Sequence, residues 1–114
     1  MSIEITQHNA EFSTAGQISP DHVAQIAALG YKSIIDNRPD LEGGHEQPMH
    51  ADIEKLVQAT GMHFAYLPVI SGAITQEQVH QMAVLIESLP KPILAFCRSG
   101  ARSTNLYHLA LSRG

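Results

Sequence analysis

The residues best suited to chemistry stand in one short run, Cys97-Arg98-Ser99-Gly100-Ala101-Arg102-Ser103. Cys97 is the only cysteine of the chain; it follows the apolar segment Ile93–Phe96 and precedes a helix-forming segment. In such a strand-to-helix turn the backbone N–H groups converge, the helix N-terminus adds positive potential, and the two arginines add full charges. The pattern predicts a site that binds an anion and stabilises a thiolate, which makes Cys97 a candidate nucleophile.

The residues of this run receive different predicted roles. Arg98 and Arg102 are expected to lower the pKa of the Cys97 thiol and to hold an anionic ligand, with Arg102 pointing into the loop and Arg98 at its entrance. Backbone N–H groups complete the predicted anion site, and they come from Ser99, Gly100, Ala101, Arg102 and Ser103. The Ser103 hydroxyl is expected either to cap the last helix or to hydrogen-bond the sulfur. The alternative for the run as a whole is an unreactive buried thiol.

Weaker candidates lie in the polar loop 37–48. Arg38 and Asp40 either contact the bound anion or form an ion pair or Asx turn that only shapes the loop. His45 and His50 stand five residues apart, and two histidines at this spacing do not predict a metal site. No cofactor is expected.

Composition bounds the class of protein. The 114 residues fit one domain, residues 1–114, and the formal net charge of −4 disfavours a nucleic-acid or membrane surface. A lone cysteine excludes an internal disulfide, and a free thiol indicates the reducing cytoplasm. No apolar stretch approaches the roughly 18–20 residues of a membrane span, and Met1-Ser2-Ile3-Glu4 does not resemble a signal peptide.

Hydrophobic periodicity predicts alternating strands and helices. Strands are expected at 3–5, 11–14, 31–36, 63–67 and 93–96, the first two as short edge strands around a turn. Helices are expected at 20–29, 51–60, 76–89 and 103–111, with Ser19 and Thr75 as N-caps. Helices between successive strands imply an α/β fold with a mainly parallel central sheet flanked by helices. The loops 37–48, 68–73 and 97–102 should then meet on one rim, beyond the carboxyl ends of the strands.

Several segments resemble known families. The cysteine loop is similar to the active-site loop of rhodanese sulfurtransferases, Cys-Arg-x-Gly-x-Arg. Nearly the whole chain resembles the phosphatase-like domain of beta-lactamase hydrolase-like proteins (DUF442), through Tyr31-Lys32-Ser33-Ile34-Ile35-Asp36-Asn37-Arg38-Pro39-Asp40, Tyr66-Leu67-Pro68-Val69, Gly72-Ala73-Ile74-Thr75 and the cysteine loop. The resemblance implies a fold like that of dual-specificity protein tyrosine phosphatases. Some relatives are described as phosphatases, and others are linked to persulfide metabolism, often beside a persulfide dioxygenase.

Loop length separates two enzymatic interpretations. Tyrosine phosphatases use Cys-x5-Arg, whereas Cys97 and Arg102 give Cys-x4-Arg, which places Ser103 at the expected arginine position. The smaller ring of N–H groups suits a persulfide on Cys97. The family resemblance also places a general acid about thirty residues before the cysteine, and the loop 68–73 has no carboxylate. Asp36, Asp40 or Glu42 could replace that acid from another loop.

The sequence therefore favours a rhodanese-type sulfurtransferase that carries a sulfane sulfur as a Cys97 persulfide, in sulfide or persulfide detoxification. Its expected partners are a small anionic sulfur donor such as thiosulfate or glutathione persulfide, a thiol acceptor, and a persulfide dioxygenase. The alternatives are a cysteine-based phosphatase with a shortened phosphate-binding loop and a non-catalytic module that binds an anion or persulfide.

The resemblance also bears on the extent of the chain. Relatives continue with more helical sequence past the position of Gly114, so a short homologue or a chain truncated at its C-terminus is expected. If that additional sequence covers apolar surface in relatives, a homo-oligomer is expected to cover the same surface here. A stable monomer in sedimentation would contradict that expectation.

Overall fold

The computed structural model describes residues 3–112; Met1, Ser2, Arg113 and Gly114, at the ends of the predicted domain, lie outside the described part. The elements in chain order are β1 (Ile5–Asn9), β2 (Phe12–Ala15), α1 (His22–Ala28), β3 (Ser33–Asp36), α2 (His50–Ala59), β4 (His63–Tyr66), α3 (Gln76–Ser88), β5 (Ile93–Phe96) and α4 (Ala101–Ser112).

The strands form one five-stranded sheet with the order β1-β2-β5-β3-β4. β1 pairs with β2 in the antiparallel sense, and the pairs β2–β5, β5–β3 and β3–β4 are parallel. The predicted α/β class with a mainly parallel sheet is therefore confirmed. The prediction that β2 is an edge strand is wrong, because β2 is inserted between β1 and β5 and its four residues are all buried.

Helices cover both faces of the sheet. Side chains alternate across β5, so that Ile93 and Ala95 pack with α3 and α4, whereas Leu94 and Phe96 pack with α1 and α2. All four of these side chains are at most 1 % exposed. A strand that is buried on both faces reads as a continuous apolar run, and this is why β5 is evident in the sequence.

The helix termini agree only in part with those predicted from the sequence. Thr75 caps α3 through a complete capping box with Gln78, as predicted. Ser19 does not cap α1, which begins at His22; the Ser19 hydroxyl instead lies 3.3 Å from His22 Nδ1. Helix periodicity predicts that Leu56 of α2 faces inward with Ile53 and Val57, but Leu56 is 41 % exposed, whereas the other two are fully buried.

The parallel strands end level with one another. Asp36 is in register with Tyr66 on one side and with Phe96 on the other. The loops that follow β3, β4 and β5 therefore begin on the same rim, as predicted. Among residues 3–112 no helix is long and apolar enough to cross a membrane.

Candidate active site

Cys97 lies at the floor of a cleft on this rim. Cys97 comes directly after β5 in the chain and is only 1 % exposed. The Cys97 N–H donates to the carbonyl of Ala15 at 3.3 Å, which ties the start of the loop to β2. The loop then turns back, and the N–H of Gly100 donates to Cys97 Sγ at 3.1 Å. Gly100 adopts φ +95°, a left-handed conformation that a residue with a Cβ rarely adopts.

The surroundings of the thiol favour the thiolate. Burial raises the pKa of Cys97, but hydrogen bonds from the Ser103 N–H, the Ser103 hydroxyl and the N–H groups of Gly100 and Ser99 outweigh burial and lower the pKa below the ordinary thiol value. The predicted thiolate site therefore has a geometric basis, although its stabilising groups are mainly loop dipoles rather than the two guanidinium groups.

Asn37 was missed in the sequence and connects three of the site's elements. Its N–H donates to the carbonyl of Phe96 at 2.8 Å, and its Nδ2 donates to the carbonyl of Leu67 at 3.0 Å. Its Oδ1 accepts the hydroxyl of Ser103 at 2.8 Å. Because that hydroxyl has one hydrogen, Ser103 can donate it either to Asn37 Oδ1 or to the Cys97 thiolate, but not to both at one time. Ser103 lies inside α4, which begins at Ala101, and not at its cap.

Arg102 lines the cleft despite the short Cys-x4-Arg spacing. Its side chain is 9 % exposed; Nη1 donates to the carbonyl of Val69 at 2.9 Å and to Glu42 Oε2 at 3.0 Å, and Nη2 donates to Glu42 Oε1 at 3.1 Å. The Nε atom is buried and has no hydrogen-bond partner among residues 3–112. An unpaired buried donor is costly, and a bound oxyanion would satisfy it.

Glu42 bridges two arginines at the opposite wall of the cleft. In addition to its contacts with Arg102, its Oε1 accepts from Arg38 Nε at 3.0 Å. Burial raises the pKa of Glu42, but the hydrogen bonds and charges of Arg102 and Arg38 outweigh burial and keep the pKa below its usual value. Arg38 is 8 % exposed and also donates from Nη1 to Gln17 Oε1 at 3.1 Å.

Asp36, the last residue of β3, and Asp40, in the loop after it, do not line the cleft. Both Asp40 oxygens are engaged by His50, one by its backbone N–H at 2.8 Å and the other by its ring, which stacks on Tyr66 at a centroid distance of 3.7 Å. Asp36 is 3 % exposed and accepts the N–H of Arg38 at 2.8 Å. Asp40 therefore anchors the loop and does not contact the space in front of Cys97.

The remaining predicted residues surround the mouth of the cleft. Arg98, Ser99 and Ala101 line it together with Ser71 of the loop before α3. Arg98 is exposed, which fits its predicted place at the entrance. Among residues 3–112 no three His, Cys, Asp or Glu side chains are grouped closely enough to hold a metal ion.

The family model for the beta-lactamase hydrolase-like protein, phosphatase-like domain, matches residues 4–113. The chain belongs to this family. A beta-lactamase hydrolase-like protein of Xylella fastidiosa is 30 % identical over 108 residues, which are 95 % of this chain and 25 % of that protein. The phosphatase-like domain thus spans about a quarter of the length of such curated relatives.

Solved structures agree with the family assignment. A Neisseria meningitidis protein described as a candidate phosphatase is 34 % identical, with a TM-score of 0.83 over 90 % of this chain and 72 % of its own. Pseudomonas aeruginosa TpbA in complex with phosphotyrosine is 13 % identical, with a TM-score of 0.72 over 96 % of this chain and 65 % of its own, and shares the fold alone. The fold of the phosphatase-like domain is therefore that of the tyrosine-phosphatase-like phosphatases, as the resemblance implied.

Proposed function

We propose that the domain is a cysteine-dependent phosphatase that hydrolyses phosphate monoesters. The observation that carries the proposal is the cradle around Cys97 Sγ, in which loop N–H groups lower the pKa of the thiol and the buried Nε of Arg102 lacks a partner in the described chain. The family and the solved neighbours support the same reaction class. Loop length alone favoured sulfur transfer over phosphate hydrolysis. We prefer the phosphatase because Arg102 lines the cleft even though the loop is one residue shorter than Cys-x5-Arg.

The reaction divides into two displacements at phosphorus. The Cys97 thiolate attacks the phosphoryl group, an S–P bond forms, and the P–O ester bond breaks with its electron pair on the leaving oxygen. Water then attacks the phosphocysteine, the S–P bond breaks, and inorganic phosphate and the thiolate are released. The loop N–H groups and Arg102 stabilise the negative charge on the phosphoryl oxygens through both steps.

Hydrolysis of an activated aryl phosphate tests this proposal. The wild-type protein should release phosphate from para-nitrophenyl phosphate, and rapid acid quenching should give an intact mass that includes one phosphoryl group on Cys97. Cys97→Ser should show neither signal. An absence of turnover and of adduct in the wild-type protein would refute the phosphatase proposal.

Sulfur transfer through a Cys97 persulfide is the second candidate, and the four-residue spacing between Cys97 and Arg102 favours it. In that reaction the thiolate attacks the outer sulfur of thiosulfate or glutathione persulfide, the S–S bond of the donor breaks, and the first product leaves as an anion. A thiol, sulfite or cyanide then takes the sulfur. A persulfide dioxygenase would be the expected partner.

Intact mass distinguishes the two candidates on the same sample. Reduced protein incubated with thiosulfate without oxygen gains one sulfur atom if it is a sulfur carrier, and cyanide removes that atom. We expect no such gain in the wild-type protein. A cyanide-sensitive sulfur adduct that Cys97→Ser lacks would favour sulfur transfer.

A further inference from the structure

Glu42 is the one carboxylate among the described residues that line the cleft over Cys97. In the tyrosine-phosphatase-like fold the loop before α3 was expected to supply an acid, and here that loop, residues 68–73, contains none. Glu42 reaches the cleft from the neighbouring loop, after β3. The cleft therefore has an acid, but from a different element of the fold.

The loop that carries Glu42 is held by hydrogen bonds on both sides of this residue. The buried Gln47 side chain accepts the N–H of Gly43 at 2.7 Å and donates to the carbonyl of Pro39 at 2.9 Å. Asp40, which precedes Glu42 by two residues, is held by His50, and its N–H donates to the Tyr66 hydroxyl at 2.9 Å. A side chain placed by such contacts is preorganised toward the cleft.

Arg102 can hold Glu42 and a bound oxyanion at once. Its two terminal nitrogens contact the Glu42 carboxylate, whereas Nε has no partner in residues 3–112. An anion that accepts from Nε would share one guanidinium with Glu42, so the two negative groups would lie side by side. In that arrangement the Glu42 carboxyl would lie beside a bound phosphate monoester and could reach its ester oxygen.

On the basis of the proposed function, we propose that Glu42 is the catalytic acid that protonates the leaving oxygen. The Glu42 carboxyl gives its proton to the oxygen as the P–O bond breaks, so that an alcohol or phenol departs. The resulting carboxylate then takes a proton from the water that attacks the phosphocysteine. Glu42 is thereby returned to its acid form, and the protons balance over one turnover.

Ligand binding prepares Glu42 for this role. In the ligand-free cleft Arg102 and Arg38 hold its pKa low. A bound phosphate dianion draws part of the charge of Arg102 and adds negative charge beside Glu42, and both effects raise the pKa of the carboxyl. The acid form should then be more populated with substrate bound than in the ligand-free cleft.

The inference predicts a dependence on the leaving group. Glu42→Gln keeps the shape of the side chain and an oxygen for the arginines, but it cannot supply the proton. The variant should lose about 10²-fold or more of kcat/KM, which reports the step in which the leaving group departs, on phenyl phosphate, and less than about 5-fold on 2,4-dinitrophenyl phosphate, whose phenolate leaves unprotonated. Glu46→Gln in the same loop is the matched control and should behave as the wild type on both substrates.

The pH profile gives a second readout that a merely structural role would not change. With phenyl phosphate the wild-type kcat should fall as pH rises through the pKa of Glu42 in the complex, and Glu42→Gln should lack this basic limb. Equal losses on both esters with an unchanged basic limb would overturn the inference while leaving the phosphatase proposal standing. No hydrolysis of either ester by the wild-type protein would overturn both.

Discussion

At the scale of single residues, the reactivity of Cys97 depends on short dipolar contacts more than on net charge. The sulfur is buried, which alone would raise the pKa of the thiol, yet the N–H groups of Gly100 and Ser99 and both donors of Ser103 reverse that effect. The thiolate should therefore persist at a pH lower than in an ordinary cysteine.

Ser103→Ala tests this balance. The variant removes a hydroxyl that stabilises the thiolate, so the midpoint of the pH dependence of iodoacetamide alkylation should rise by about one pH unit. The wild-type rate should fall only as pH drops through the lowered pKa. Ser88→Ala, an exposed helix serine, is the control and should leave the midpoint unchanged. A midpoint that does not move in Ser103→Ala would contradict the role given to the hydroxyl.

Arg102 contributes to the site through the geometry of its guanidinium group as well as through its charge. Lysine at position 102 would keep one positive charge but would lose the planar fork that contacts the Glu42 carboxylate and the Val69 carbonyl, together with the buried Nε, which has no partner among the described residues. We expect Arg102→Lys to raise KM for aryl phosphates and to lower kcat, with the folded structure retained. A variant with wild-type kcat and KM, measured on para-nitrophenyl phosphate, would remove Arg102 from the proposed site.

At the scale of elements, the turn from β5 to α4 is shaped by the close approach of β2. A Cβ on Gly100 would lie 3.3 Å from the backbone carbon of Ala15, and the residue already has φ +95°. The turn can therefore carry its N–H groups toward Cys97 only with glycine at this position.

Gly100→Ala should cost both stability and activity. The left-handed backbone alone costs about 1–2 kcal/mol in a residue with a Cβ. Gly44 offers a matched control, because it has φ +84° but a Cβ at this position would meet nothing within 4 Å. Both alanine variants should unfold at lower urea concentration, but only Gly100→Ala should lose phosphatase turnover. Full turnover in Gly100→Ala would show that the turn tolerates displacement.

At the scale of the whole molecule, the fold brings a buried carboxyl to the inner face of the rim. Burial, together with the charge of Asp40, raises the pKa of Asp36 to about 7, although the Arg38 N–H and the charges of His50 and Arg38 oppose the rise. In the unfolded chain the same group titrates near pH 4. Between these values the folded state binds the proton that the unfolded state has lost.

This difference predicts that the contribution of Asp36 to the free energy of unfolding decreases as pH rises. The contribution of Asp36 is most favourable below about pH 4 and is lost as pH rises toward about 7, with a slope of at most about 1.4 kcal/mol per pH unit. Asp36→Asn still accepts the Arg38 N–H but does not ionise. It should be more stable than the wild type in urea denaturation at pH 8, with the difference vanishing toward pH 4. Glu87→Gln, at an exposed position of α3, should show no such pH-dependent gain.

Much of the fold follows from local pattern. The apolar run 93–96 specifies a strand buried on both faces, and the Thr75–Gln78 pair specifies the start of α3, because these signals act within a few residues. The burial of Leu56 and the start of α1 were mispredicted, since helix periodicity does not tell which residues of a face reach the sheet. The position of β2 inside the sheet was also missed, because pairing between distant strands leaves no local signal.

The chemistry divides in the same way. The sequence by itself identified Cys97, its loop and the family, because a strand, a turn and a helix start are contiguous in the chain. Only the tertiary structure brought Asn37 against Ser103 and set Glu42 across from Arg102, sixty residues apart in the chain. These contacts come from the parallel register of β3 and β5, which aligns the ends of strands that are distant in sequence. The identity of the residues therefore determined a nucleophile, and their packing determined which arginine and which carboxylate face it.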